Sequence, residues 1–542
     1  MISCPNCGGN VKFDIPSQQM TCEYCHKMFD PYSFDSKTKD AEESASVTDS
    51  YEVTVFTCPQ CGGEILSTDN AAAGFCSFCG ASTILYSRIS QEQRPDYIIP
   101  FKKTKEDCKQ AYINKMRHAL FAPKELKDPK AIDGFRGIYM PYWAFYITQK
   151  GPISLYAYTK HRSGDYIITD NFQLTGDIDS YYKGLSYDAS SSFADSISET
   201  LAPYDVKGMK AFTPGYLSGF YADTADVPAS VYQLEAESTA SQETMASLNK
   251  VPAFEPYTIG TPKSGDPETM LHTKTEKVDR TMFPVWFMSY RKKDRVAYVT
   301  VNGQTGKVVA DIPIDPKKYA LGSLLLSIPI FLLLAAFVTL LPSRLLTMSA
   351  ILAVLTAVIY TLELSAIAQK DSFSEDRGKL YLEHPEQLSI ENQKIKKQIT
   401  KSGKGSQKLS MVKVFVYLYI VLMCLNLFGS FIGLVTSSSI FSSGLWLILA
   451  IAMAVTIGIG SDKMKALPSG QSIMGFIASV VAVAVSSVIA LVHPVSDLYY
   501  YAGTIFVLIA VILSIADVIH YYNILSTRRL PQFDKQGGDD RA

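Results

Sequence analysis

Eight cysteines near the start of the chain are spaced to hold metal. Cys4-x-x-Cys7 is followed after fourteen residues by Cys22-x-x-Cys25, and Cys58-x-x-Cys61 is followed after the same interval by Cys76-x-x-Cys79. Two thiolates on one knuckle grip one face of a tetrahedral Zn²⁺, and a second pair on a facing hairpin closes a Cys4 site. The pattern predicts two zinc ribbons and two structural Zn²⁺ ions, one held by Cys4, Cys7, Cys22 and Cys25, the other by Cys58, Cys61, Cys76 and Cys79. Neither site keeps an open coordination position, so the metals are expected to be structural and not catalytic.

The residues around the ligands suit that geometry. Glycines follow Cys7 and Cys61 (Gly8-Gly9 and Gly62-Gly63), where a tight knuckle turns through positive φ. His26 follows Cys25, but four thiolates already fill the tetrahedron, so it is read as a surface imidazole. A disulfide framework is the competing reading; the opening residues do not read as a cleavable signal peptide, which favours reduced cysteine. Cys108 and Cys424 are read as packed free thiols.

Each ribbon needs a scaffold, because about thirty residues hold no core without a staple and metal must supply most of their folding free energy. The composition, 19% charged with a net charge of −1, hides a sharp division along the chain. Six apolar runs recur at Leu321–Leu341, Leu345–Ala368, Met411–Val435, Ile440–Gly460, Ile473–Val492 and Leu498–Tyr521. Each approaches the ~20 residues that cross a bilayer. Lys317, Lys318, Lys394, Lys396, Lys397, Lys463, Lys465, Arg528 and Arg529 fall on alternate loops, with Arg344 the exception. The positive-inside rule then puts both termini in the cytoplasm of a bacterial cell, with a multi-pass protein in the inner membrane.

Between ribbons and membrane, Thr104–Asp107 resembles a capping box opening a helix over Cys108–Leu120. Gly137–Tyr146 and Ile153–Tyr158 have strand composition, and Ala229–Leu248 reads as a helix. Val296–Val301 and Lys307–Ile312 flank Asn302-Gly303, a hairpin signal. Gly303–Lys307 fails as a phosphate-binding loop, since Val301 and Val308 stand where that motif needs Gly and Ser or Thr.

The expected fold is composite. Two N-terminal Cys4 zinc ribbons of small β type cover 1–30 and 55–88, with a flexible linker at 31–54. A cytosolic α+β domain with an antiparallel sheet covers 94–316. An all-α six-helix transmembrane domain covers 321–525, with a cytosolic loop at 369–410 and a cytosolic tail at 526–542.

Met140–Trp143, Glu199–Asp205, Gly215–Ala222, Phe283–Trp286 and Asn302–Lys307, in this order behind the ribbons, resemble the bacterial TFIIB-type zinc ribbon-containing membrane proteins. The resemblance covers residues 1–317. It implies an anchor associated with phage-shock-type envelope-stress systems, alongside PspA-like and flotillin-like protein partners.

Charge weighs against nucleic acid as a partner. Lys12 and Lys27 face Asp14, Glu23 and Asp30 in the first ribbon, Arg88 faces Glu64 and Asp69 in the second, and each Zn(Cys)4 centre adds two negative charges. No nucleophile–base pair or open metal site is visible, so neither an enzyme nor a small-molecule substrate is expected. Glu363, Asp517 and His520 fall near helix ends, and Asn426 alone sits deep in a span. The expected function is a membrane-anchored adaptor or scaffold that recruits or senses protein partners. The alternatives are a channel or transporter regulated by the ribbons, and a membrane-tethered nucleic-acid-binding protein.

Overall fold

A computed structural model describes residues 2–35, 50–67, 76, 78–80, 86–255, 257–259, 270–292, 295–337, 341–370, 377–383, 386, 449, 452–454, 456–458 and 474–529. The first ribbon is a three-stranded antiparallel sheet of β1 (Val11–Asp14), β2 (Gln19–Cys22) and β3 (Met28–Phe29). Val11, Phe13, Met20 and Cys22 alternate with polar neighbours, which gives the sheet one apolar face. That face packs on Tyr216, Leu217 and Phe220. Pro31–Phe34 then forms a 3-10 helix, with Tyr32 edge-on to Tyr216, and Asp35 pairs with Arg94. Of the linker expected at 31–54, both ends are therefore built into the fold, and 36–49 lie outside the described residues.

All other strands join one thirteen-stranded sheet. It begins with β4 (Ser50–Thr57), β5 (Glu64–Ser67), β6 (Tyr86–Gln93) and β7 (Tyr97–Ile98). The second ribbon, expected as a unit of its own over 55–88, is thus part of the larger domain. Its apolar residues Phe56, Ile65 and Phe78 are too many for a thirty-residue module to bury alone. The edge of β5 is covered instead by a later strand.

The capping box is present: Thr104 Oγ1 accepts from the Asp107 N–H at 3.1 Å, and Asp107 Oδ2 from the Thr104 N–H at 3.0 Å. It opens α1 (Lys105–Arg117), which is followed by the single turn α2 (Pro129–Ile132). The expected pair of short strands is one long strand, β8 (Arg136–Ser163), paired from Tyr142 onward with β9 (Tyr166–Asp188). Next come α3 (Asp195–Leu201), β10 (Lys210–Ala211), β11 (Tyr221–Ala222), α4 (Gln233–Leu248) and β12 (Thr258–Ile259). Then β13 (Thr273–Lys292) pairs with β8, and the expected hairpin forms from β14 (Arg295–Asn302) and β15 (Val308–Ala310). Residues 281–288 of β13 are buried without a break, as in a central strand covered on both faces. The strand order runs β10-β7-β13-β8-β11-β5-β4-β6, and its two ends approach each other. Phe212, just after β10, packs on Tyr51 of β4 at 5.2 Å and lies under Arg94, just after β6, at 5.4 Å.

Four helices in the described residues are long and apolar enough to cross a membrane: α5 (Pro316–Phe337), α6 (Pro342–Lys370), α8 (Met474–Val492) and α9 (Asp497–Leu525). The short α7 (Arg377–Glu383) lies between the second and third of them. The expected span Met411–Val435 lies outside the described residues, as do Asn426, Cys424 and about two thirds of Ile440–Gly460; the described part of the latter is helical, and its Leu449 and Met453 join the core of the other apolar helices. Helices α6, α8 and α9 pack around Ala350, Ala357, Tyr360, Ala482, Val507 and Ala510. Close approach is possible because α8 presents Gly475, whose added Cβ would stand 2.5 Å from the Ser514 backbone. There Ser514 Oγ meets Ser479 Oγ at 2.8 Å, and Asp517 Oδ2 accepts the Gly475 N–H at 2.8 Å, capping the start of α8. Glu363 and His520 are exposed.

The long apolar helices are tied to the rest of the protein at three places. Arg295 donates to the carbonyls of Ile524 and Thr527, each at 2.7 Å, and the last strand, β16 (Arg528–Arg529), pairs with β14. Asn523 holds the backbone of Ile314. Beyond α6, the Arg377 N–H donates to Asp195 Oδ2 at 2.6 Å, and Leu380 joins the buried cluster that holds Phe145 and Tyr232. The start of α5, the segment after α6 and the end of α9 therefore all meet the soluble domain.

Candidate metal centres

The structure brings all eight predicted ligands together as two groups of four, with the sulfurs of each group within 4.8 Å of one another. In the first ribbon Cys4 Sγ lies 3.6 Å from Cys25 Sγ, and Cys7 Sγ lies 3.4 Å from Cys22 Sγ. The second has Cys58 to Cys79 at 3.8 Å and Cys61 to Cys76 at 3.7 Å. A tetrahedron with metal–sulfur bonds of 2.3 Å has edges of about 3.8 Å, so each group can take one ion with little adjustment.

All four knuckles share one local design. The N–H of the residue after the second cysteine donates to the carbonyl of the first: Gly8 to Cys4 at 2.8 Å, Gly62 to Cys58 at 2.8 Å, Gly80 to Cys76 at 3.0 Å and His26 to Cys22 at 3.0 Å. The turn demands positive φ, which is +72°, +72° and +71° at the three glycines and 54° at His26. His26 is thus the non-glycine occupant of a glycine position, and its place in the repeat is the signal that identifies it. The peptide N–H of Lys27 draws the Cys25 thiol down to about 6, towards the thiolate that a metal takes.

The two centres differ in surroundings. Cys7 is exposed and Cys25 half-buried, whereas Cys58, Cys61, Cys76 and Cys79 are each at most 1% exposed. The difference extends to the aromatic residue inside the second knuckle of each ribbon. Phe78 is 2% exposed, with its ring 6.4 Å from Phe287 and its carbonyl accepting the Tyr298 hydroxyl at 2.8 Å. Tyr24, at the matching place in the first ribbon, is 75% exposed, and nearby Met28 is 57% exposed. Spacing could not distinguish the two, because it is identical in both ribbons. Burial also pushes the Cys108 thiol up to about 12, which suits its expected packing role.

The chain is 28% identical over 321 residues to an uncharacterized protein, YdjG, of Bacillus subtilis (strain 168). The match takes in 58% of this chain and 91% of that protein. No family model matches the chain, and no solved structure matches it.

Proposed function

We propose that the protein is a membrane-anchored adaptor that recruits or senses protein partners at the cytoplasmic face of the bacterial inner membrane. In this reading both metals are zinc, the helical part has six spans, and both termini are cytoplasmic. The observation that carries it is the unequal fate of Tyr24 and Phe78. The knuckle aromatic of the second ribbon is spent on the protein's own sheet, while that of the first ribbon stands exposed on a rigid, metal-stapled turn. Aromatic and Met side chains on a rigid support are the residues that anchor protein interfaces. Orientation has its own support. Lys317, Lys318, Arg377, Arg528 and Arg529 gather at the end of the helices that meets the soluble domain, where the positive-inside rule puts the cytoplasm.

Copurification in mild detergent, with mass spectrometry of what is retained, tests the reading. The parent protein should retain membrane-associated partners, PspA-like or flotillin-like proteins among them. A Tyr24→Ala/Met28→Ala variant should lose them while keeping two zinc ions and its place in the membrane. The same partners on both proteins would sink the adaptor reading.

A further inference from the structure

Away from the metal centres, the curl of the sheet leaves a cavity of about 140 Å³ where β4 and β6 approach β8 and β13. Two cross-strand pairs line it, Tyr51 with Glu92 and Trp143 with Arg280. Directly opposed residues of antiparallel strands put their side chains on one face, about 5 Å apart, so each pair presents two groups together. Tyr51 is 7% exposed, and its hydroxyl is buried with no hydrogen-bond partner. The Arg280 guanidinium lies 5.5 Å over the Trp143 ring and has no ion-pair partner among the described residues.

These two donors are left over, while the acceptors are mostly engaged. Asp223 already takes the hydroxyls of Ser190 and Ser192 and the Thr224 N–H. Glu92 takes only the Ser90 hydroxyl, at 3.2 Å, on one oxygen. The free groups are thus a cation and a hydroxyl on one side of the ledger of charges and a carboxylate on the other, with Leu66 and Met282 as an apolar wall. A simple anion would lie beside Glu92, and a simple cation beside Arg280. A zwitterion satisfies both.

We propose that this cavity binds a free α-amino acid with a compact apolar side chain. Its carboxylate is held by Arg280 and the Tyr51 hydroxyl, its ammonium by Glu92, and its side chain by Leu66 and Met282. The volume fits, since a protein cavity of about 150 Å³ accommodates benzene. The site is independent of the adaptor reading and uses no residue named there.

Calorimetric titration of the full-length protein in detergent with L-valine and L-leucine tests it, alongside L-leucine amide and N-acetyl-L-leucine. Saturable binding of at least one free amino acid, with neither capped compound binding comparably, is the expected result. Arg280→Gln should weaken it about tenfold or more, as for loss of a charge-assisted hydrogen bond. Tyr51→Phe should weaken it severalfold while leaving the ligand-free protein at least as stable, because it deletes an orphaned hydroxyl. Retention of two metal ions shows that each variant is folded, and Tyr51→Phe keeps the test open if Arg280→Gln is not. Failure of both amino acids to bind, equal binding of the capped compounds, or parental binding by a folded variant overturns the proposal.

Discussion

The side chain of Asn523 and the backbone of Ile314 hydrogen-bond to each other twice across 209 residues of chain. The Ile314 N–H donates to Asn523 Oδ1 at 2.6 Å, and Asn523 Nδ2 donates to the Ile314 carbonyl at 2.8 Å. Ile314 lies two residues before α5 and Asn523 lies in the last turn of α9, so one amide clamps the two ends of the helical part together. Asn523→Ala leaves both backbone groups without their partners at a half-buried site. A loss of about 1–2 kcal/mol is expected, read as a lower melting temperature of the full-length protein in detergent. An unchanged melt would show that the clamp is redundant with Arg295.

Metal loss should be stepwise. Cys7 is exposed, whereas every ligand of the second centre is buried within the sheet. A chelator such as EDTA is expected to take one metal ion quickly and the second only as the domain unfolds, since buried ligands are reached through global opening. Cys7→Ser should disturb the first ribbon alone, and Cys61→Ser should lower the stability of the whole soluble domain. Release of both ions at one rate would contradict the difference in burial.

His26 occupies a left-handed turn that three glycines occupy elsewhere in the repeat. An L-residue pays about 1–2 kcal/mol in this region, part of which glycine returns through the greater freedom of its unfolded chain. His26→Gly is therefore expected to stabilise the first ribbon by about 0.5–1 kcal/mol with metal stoichiometry unchanged. Loss of a metal ion in this variant would instead make His26 a ligand.

Burial pushes the Asp223 carboxyl up to about 6, against the pull of the Ser190 and Ser192 hydroxyls. The same group titrates near 3.9 in an unfolded chain, so between these values the folded state holds the proton more tightly. Its contribution to stability is fully present below pH 4 and is lost as pH rises through 6. Relative to Asp223→Asn, the parent should gain about 2–3 kcal/mol on acidification from pH 7 to pH 4, with no further change above pH 7. Denaturant unfolding of both proteins at several pH values measures this, and an opposite slope would refute it.

The two groups of four cysteines, the Thr104 cap, the Asn302 hairpin and the four long apolar helices were legible because each rests on local chemistry. Asn302 illustrates the strength of such a signal: its Oδ1 accepts the N–H groups of Gln304 and Thr305, both at 2.9 Å, so the turn is built by its own side chain. The long strands were less visible. Pro141 and Pro284 interrupt β8 and β13 in sequence but not in space, and β9 mixes Asp, Thr and Gly with its aromatics because most of its residues face solvent. Two-residue strands such as β11 and β16 have no periodicity to read and exist only because a longer strand lies beside them. The merging of the second ribbon with the sheet had one signal in Phe78, an apolar residue inside a knuckle that would otherwise face water.

β16 gives the architecture a direction in time. Strand β14 is complete only when Arg528 and Arg529 lie against Val296 and Arg295, and those two residues leave the ribosome after every helix of the membrane part. During synthesis β14 therefore waits with the Arg295–Val296 end of one edge uncovered while the C-terminal helices are being made. The hydrogen bonds that close this edge form only once the last of the four long apolar helices of the described residues has been made.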